Sequence, residues 1–131
     1  MYMTVDLDSS VSDVLAGFRG PIVAAQMAYP EILHVEVRDD QGKLWRFATQ
    51  DASWSPIDPA ELRGQAIVTS AIDEASRELR CQLSNGLVFS VTPEPQIEPD
   101  DPPNWELITP DDLVLEFGPG QHWQIVDESA P

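Results

Sequence analysis

The sequence predicts a mainly β, antiparallel fold of about nine strands: two related three-stranded meanders, a C-terminal hairpin and one short N-terminal helix. Apolar and polar residues alternate over several short segments, which is the pattern of a half-buried strand. Turn-forming residues such as Asn85-Gly86 separate those segments, and helical spacing of apolar residues is confined to one short stretch. With 131 residues, the chain fits a single domain, 1–131. A sandwich and a half-open barrel both satisfy this pattern.

The helix is predicted near residues 10–18, where apolar residues have the spacing i, i+3, i+4 and i+7: Val11, Val14, Leu15 and Phe18. Ser10 and Asp13 are placed as a capping box for its first turn. A single helical turn is predicted at 58–61, because this Asp-Pro-Ala-Glu segment offers an N-cap, a proline suited to the first helical position and an early carboxylate. The rest of the chain is predicted as strand and turn.

An internal repeat is predicted over approximately 18–49 and 62–92, because the segment from Phe18 to Val23 is echoed 44 positions later, from Leu62 to Val68. After each copy come an alternating strand, a turn and a second strand. The inward positions are Leu33, Val35 and Val37 in the first copy and Leu79, Cys81 and Leu83 in the second. In the second copy, Asn85-Gly86 is expected to supply the positive φ angles of a tight hairpin turn. The two copies therefore predict two meanders.

The C-terminal part divides into a connection and a terminal hairpin. Residues 93–103 are rich in proline and acids, and because proline cannot donate to a strand ladder they are predicted as an extended connection. The terminal hairpin, 104–126, starts at Trp105, turns at Pro110-Asp111-Asp112 and returns through Phe117 toward Trp123. Three of the four tryptophans are predicted to be core residues because they lie in alternating strands: Trp45, Trp105 and Trp123.

Several of these features resemble an uncharacterised actinobacterial-type family of small duplicated β-rich proteins, a domain of unknown function. The resemblance covers 62–123 and, more loosely, the first copy. It is carried by the Leu62-x-Gly64 opening, the Asn85-Gly86-Leu87 hairpin, Trp105-Glu106-Leu107 before Pro110-Asp111, and Gly118-Pro119-Gly120 before Trp123. The resemblance implies a shared fold and no transferable site. Asp112 stands where the family pattern leads us to expect a turn glycine.

Charge is the strongest functional signal in the sequence. The formal net charge is −16, and after Arg80 the chain has ten Asp and Glu but no Lys or Arg. Such a field repels nucleic-acid phosphates and attracts a basic protein, so we expect a protein partner and no nucleic acid. Trp54, in a predicted loop, is the tryptophan most suited to an interface. The predicted interface residues are Trp54, Glu98, Asp100, Asp101, Asp111 and Asp112.

No motif for catalysis, a metal or a cofactor accompanies this charge. His34 and His122 lack a neighbouring nucleophile or ligand pattern, and the single cysteine, Cys81, lies on the inward side of its strand. Gly118-Pro119-Gly120 lacks the helix and lysine of a phosphate-binding loop. We therefore expect no catalytic, metal or cofactor site. The lone cysteine and the lack of a signal or membrane-spanning segment predict a cytoplasmic protein with no membrane contact.

The leading hypothesis is a non-enzymatic, acidic protein that binds another protein, as an immunity- or inhibitor-type partner of a basic toxin or nuclease. The alternative is a small-ligand or carbohydrate-binding module with Trp54 at its platform. A third hypothesis is a hydrolase whose carboxylates come together only in three dimensions. An exposed edge strand can pair with the edge of a second copy, so a homodimer through a strand edge is a further prediction.

Overall fold

A computed structural model describes residues 2–3, 11–28, 32–50, 59–73, 75–92, 103, 105–117 and 123–127. Two short helices, α1 (Ser12–Ala16) and α2 (Pro59–Leu62), accompany ten strands. The strands are β1 (Tyr2–Met3), β2 (Gly20–Ala28), β3 (Ile32–Arg38), β4 (Leu44–Gln50), β5 (Ala66–Ile72), β6 (Leu79–Leu83), β7 (Val88–Val91), β8 (Trp105–Ile108), β9 (Leu113–Phe117) and β10 (Trp123–Asp127). The predicted mainly β, antiparallel fold is confirmed.

All ten strands belong to one sheet, in the order β1-β10-β9-β8-β4-β3-β2-β5-β6-β7. Every described pairing is antiparallel. The strands at the two ends of this order, β1 and β7, do not pair with each other, so the described sheet is open and not a closed barrel. Three meanders follow one another along the chain: the first meander (β2–β4), the second meander (β5–β7) and the third meander (β8–β10).

The sheet folds over on itself, and its concave side holds the core. Phe47 on β4 meets Phe89 on β7 edge to face, with ring centroids 6.1 Å apart, although five positions separate the two strands in the sheet order. Phe18, which follows α1, lies between the rings of Phe47 and Trp45, at 5.9 Å from each. Trp105 stacks on Phe117 at 5.3 Å and lies 5.7 Å from Phe47. Aromatic rings therefore join the three meanders.

The first and second meanders have matching registers. In each, one register shift interrupts the first pair of strands, between Ile22 and Ala24 on β2 and between Ile67 and Thr69 on β5. The shifts make Val23 and Val68 equivalent bulge residues. Three rows of paired residues then correspond, and all their members except Met27 and Leu87 are buried or half-buried: Ile22–Val37–Trp45 with Ile67–Leu83–Leu87, Ala25–Val35–Phe47 with Ser70–Cys81–Phe89, and Met27–Leu33–Thr49 with Ile72–Leu79–Val91. The duplication itself stays a prediction, which this geometry supports.

Local differences from the predictions have physical causes. Helix α1 is shorter than the predicted 10–18, and Val11, at its N-cap, makes no side-chain cap hydrogen bond; Ser10, the first residue of the predicted capping box, lies outside the described residues. Gly86 has a positive φ of 89° but Asn85 does not, so this turn is not the predicted tight type. Asn85 Oδ1 instead accepts a hydrogen bond from the backbone N–H of Leu87 at 3.0 Å. The terminal hairpin continues into a third strand, β10.

Candidate functional site

Three segments meet at one end of the sheet and form a groove. Because Arg46 on β4 pairs with Ile108 on β8, the β3–β4 turn lies beside the β8–β9 turn. The C-terminal end of α1 lies against the first of these turns: a Cβ on Gly17 would be 2.8 Å from the Trp45 ring. Only glycine lets the helix end approach the indole this closely. The sequence thereby brings α1 and two hairpin turns together.

The groove between these segments, which we call the hairpin groove, has a volume of about 480 Å³. Four carboxylates and two cations line it, together with apolar side chains of α1 and of the turns. The charged residues are Asp13, Asp39, Asp40, Asp111, Arg19 and Lys43; the apolar ones include Val14, Trp45, Pro110 and Leu113. Arg19 lies 3.6 Å from Asp40 as an exposed ion pair. The formal charge of the lining, four minus two, is negative by two.

Asp39 organises the first turn of the groove. Its Oδ1 accepts hydrogen bonds from the backbone N–H groups of Gln41 at 2.9 Å and Lys43 at 3.0 Å, and its Oδ2 accepts one from Trp45 Nε1 at 2.9 Å. The Trp45 bond, followed by the Lys43 bond, lowers the pKa of Asp39 from its ordinary value of 3.8. Asp39 is therefore a structural carboxylate that orders the turn and orients the indole.

The second turn uses the same geometry with a different residue at its strained position. Thr109 Oγ1 accepts from the backbone N–H of Leu113 at 3.1 Å, just as Asp39 accepts from Lys43. Asp112 has a φ of 64°, and the equivalent position of the first turn, Gly42, has a φ of 75°. Asp tolerates this left-handed conformation better than most residues do. Asp112, which stands where a turn glycine was expected, therefore adopts the glycine-like conformation, and the turn keeps the same geometry.

This turn sends the two neighbouring predicted interface residues to different sides. Asp111 lines the hairpin groove, whereas Asp112 lines a second groove of about 530 Å³ on the outer face of the sheet. Lys43, Arg46 and Ile108 also line this outer groove. Lys43 contributes to both grooves, so it lies on the ridge between them. The turn therefore places Asp111 and Asp112 in different grooves.

The other predicted interface residues fall outside the described part of the chain: Trp54, Glu98, Asp100 and Asp101. His122 also lies outside it, and His34 is exposed on β3. Cys81 is 1% exposed, and burial raises the pKa of its thiol to about 11 although Ser70 donates a hydrogen bond to its sulfur. Among the described residues, no group of three or more His, Cys, Asp or Glu side chains is arranged to hold a metal ion.

Sequence reasoning missed three of the four acids that line the hairpin groove: Asp13, Asp39 and Asp40. A local signal was present, because Asp39-Asp40 opens one hairpin turn and Asp111-Asp112 lies in another. The decisive fact is not local: β4 pairs with β8 across more than fifty intervening residues. Trp45 and Trp105 are buried as predicted, at 7% and 2% exposure, and Trp123 is half-buried against the core.

The comparisons with known proteins give no relative. No protein-family model, no curated protein and no solved structure matches the chain. The family resemblance stated above therefore stays a prediction, and the site is interpreted from its own chemistry. In the part of the chain that the structure describes, neither helix has the length and apolar character needed to cross a membrane.

Proposed function

We propose that the protein is a non-enzymatic, acidic binding protein whose hairpin groove receives a basic segment of another protein, as an immunity- or inhibitor-type partner would. The observation that carries this proposal is the groove itself: Asp40 and Asp111 come from two turns that are distant in sequence and line the same groove. Apolar groups of Val14, Pro110 and Leu113 line the same groove. The long side chains of Lys and Arg match such a lining, because they bury an apolar stem and keep a charged end exposed.

Long-range charge supports the same partner chemistry. The net charge of −16 steers a basic protein toward this molecule, and the steering weakens as salt shortens the Debye length. Arg19 and Lys43 inside the groove would repel misplaced basic groups and so select the order of charges in the partner. Glu98, Asp100 and Asp101 remain predicted contributors to the same acidic surface.

The pKa directions of two turn carboxylates indicate structural roles for these two groups. The pKa values of Asp39 and Asp73 are both lowered. Backbone hydrogen bonds from Ser76 and then Ala75 lower the pKa of Asp73, so it, like Asp39, orders a turn. A general acid needs the opposite shift, toward the working pH. These two carboxylates are therefore suited to structure and charge. The buried thiol of Cys81 is also compatible with the proposed cytoplasmic location.

The test starts from capture of partners by the full chain from its native lysate, at low and at raised salt. A basic protein retained at low salt is then purified, and its association rate is measured by stopped flow. Asp40→Asn combined with Asp111→Asn should lower the association rate about 3–10-fold at low salt, with a smaller change at high salt. Glu61→Gln is the control, because it removes one exposed charge from α2, outside the groove. No basic protein in the capture, or an unchanged association rate, would overturn the proposal.

The alternative function is a small-ligand or carbohydrate-binding module, favoured by the groove volume of about 480 Å³, which lies within the usual range of ligand pockets. The state of Trp45 argues against a sugar platform there. Its indole is 7% exposed, and its N–H is already bonded to Asp39. A ligand array read by tryptophan fluorescence tests this alternative, and a change that Asp111→Asn abolishes would support it.

A further inference from the structure

Positive charge is concentrated in one hairpin of this acidic chain. Acidic residues outnumber basic ones by 23 to 7, yet the β3–β4 hairpin contains three of the seven: Arg38, Lys43 and Arg46. The two arginines point to the outer face of the sheet, because their chain neighbours Val37 and Trp45 are buried on the inner face. Lys43 lies beside them on the ridge between the two grooves. The outer face of this hairpin therefore has a local excess of positive charge.

The two cations that line the outer groove, Lys43 and Arg46, are not neutralised by a carboxylate. Glu36 faces Arg46 across the β3–β4 ladder. The three ion pairs between described residues, however, involve only Arg19 and Arg80 as cations. Both groove cations are exposed, so their charged ends are accessible to a ligand.

The rest of the outer groove supplies an apolar surface and one carboxylate. Leu44, Ile108 and Pro110 line it and are half-buried. Asp112 is the one carboxylate of the lining, so the formal charge of the lining, two minus one, is positive by one. The hairpin groove on the other side of the ridge is negative by two. A volume of about 530 Å³ lies within the usual range of small-ligand pockets, which combine apolar walls with a few polar groups.

We propose that the outer groove binds a small organic anion, whose carboxylate or phosphate head group contacts Lys43 and Arg46 and whose apolar body packs on Leu44 and Ile108. The planar guanidinium of arginine matches both head groups. The Cα atoms of the two cations are at most about 10 Å apart, so their long side chains can converge on one head group. The net charge of −16 repels anions at long range. At about 0.15 M salt the Debye length is about 8 Å, so the charges that line the groove dominate.

An NMR titration of the ¹⁵N-labelled full chain, at a constant ionic strength of about 0.15 M, tests this proposal. The probes are phenyl phosphate, phenylacetate, inorganic phosphate and benzyl alcohol. At least one of the two organic anions should bind saturably, with a dissociation constant of about 1–10 mM, and should shift the amide signals of Lys43, Arg46 and Ile108. The tighter of the two identifies the head group. Benzyl alcohol lacks the charge and inorganic phosphate lacks the apolar body, so each should bind at least about threefold more weakly than that anion.

Two substitutions in the groove should act in opposite directions. Arg46→Gln should weaken binding of the tighter anion at least about fivefold, because it removes a cation that contacts the head group. Asp112→Asn should strengthen binding about 2–3-fold, because it removes the carboxylate of the groove. Asn tolerates the left-handed conformation of this position as Asp does. The matched controls remove the same charges elsewhere: Arg80→Gln on β6, and Asp111→Asn, one residue away on the side of the hairpin groove. Each control should change the affinity by less than about 1.5-fold.

The amide spectra establish that each variant is folded before its affinity is interpreted. No saturable binding of either organic anion up to about 50 mM would overturn the proposal. So would equal binding of benzyl alcohol, or an unchanged affinity after Arg46→Gln. An equal gain from Asp111→Asn and Asp112→Asn would also overturn it, because the gain would then reflect net charge and not the groove. None of these measurements involves a protein partner, so this proposal and the proposed function fail separately.

Discussion

The first and second meanders match at their inner rows and differ in the hairpin that ends each. The β3–β4 hairpin closes with Asp39 opposite Lys43, one pair beyond Arg38 and Leu44. The β6–β7 hairpin closes already at Leu83 opposite Leu87, the positions that correspond to Val37 and Trp45. The first hairpin is therefore longer by four residues. Where Trp45 is buried beneath this extension, Leu87 is 51% exposed.

The difference assigns separate tasks to the two meanders. The four added residues place Asp39 and Lys43 beside the third meander. The hairpin groove forms at this end of the first meander, where its hairpin is longer than that of the second. The shared part of the two meanders builds the core, and its bulges expose Val23 and Val68. The proposed binding site is thus placed on an addition to a common frame, where side chains can change without disturbing the inner rows.

The largest expected effect distinguishes two glycines near the starts of the two meanders, Gly20 at the first residue of β2 and Gly64 before β5. Gly20 has a φ of +134°, and a Cβ there would lie 2.0 Å from the backbone oxygen of Arg38, whereas a Cβ on Gly64, at φ +83°, meets nothing within 4 Å. Gly20→Ala should cost more than about 4 kcal/mol or prevent folding, because a backbone atom must move. Gly64→Ala, the control, should cost about 1 kcal/mol from its left-handed conformation alone. Urea unfolding measures both, and equal losses would contradict the close approach of β2 to β3.

The next effect concerns the contact between the two meanders across the core. Phe47 and Phe89 are equivalent residues that touch each other, with centroids 6.1 Å apart. Phe47→Leu and Phe89→Leu should each cost about 1–3 kcal/mol, and the double variant should show a coupling energy of about 0.5–1.5 kcal/mol. Val88→Ala, next to Phe89 but exposed, should change stability by less than about 0.5 kcal/mol. Additive losses for the two phenylalanines would mean that the sheet does not fold over as described.

The sequence predicts those features that depend on near neighbours. Alternation identified β3, β6 and β9, and turn residues located the hairpins, because period-two burial and left-handed turn positions are local properties. The pairing of β4 with β8 and of β2 with β5 depends on how the sheet folds, which no local pattern encodes. The groove was unforeseen for the same reason: only one of its four carboxylates, Asp111, was a predicted interface residue.

The smallest expected effect is a difference in pH response between the β3–β4 turn and the β5–β6 connection. Asp39 and Asp73 both have lowered pKa values, and the main cause is a hydrogen bond from the Trp45 side chain for Asp39 and from the backbone of Ser76 for Asp73. A carboxylate whose pKa is lower in the folded state stabilises the fold above its unfolded pKa. This stabilisation is lost as the pH falls through the lowered value. Both residues should therefore lose their contribution to stability below pH about 4. Only the protonation of Asp39 should change the signal of an indole, because, of the two, only Asp39 accepts a hydrogen bond from a tryptophan.

In NMR spectra recorded from pH 6 to 2, the Nε1–H resonance of Trp45 should shift with a midpoint below 3.8, the ordinary value for Asp39. Asp39→Asn should abolish this titration. The difference in unfolding free energy between wild type and Asp39→Asn should shrink as the pH falls, because at low pH neither chain has an ionised carboxylate at this position. Asp73→Asn, the control, should leave the Trp45 titration unchanged because its partners, Ala75 and Ser76, belong to another turn. A midpoint at or above 3.8 would mean that the Asp39–Trp45 bond does not hold the turn. The extended hairpin would then line the groove without the rigidity that this bond supplies.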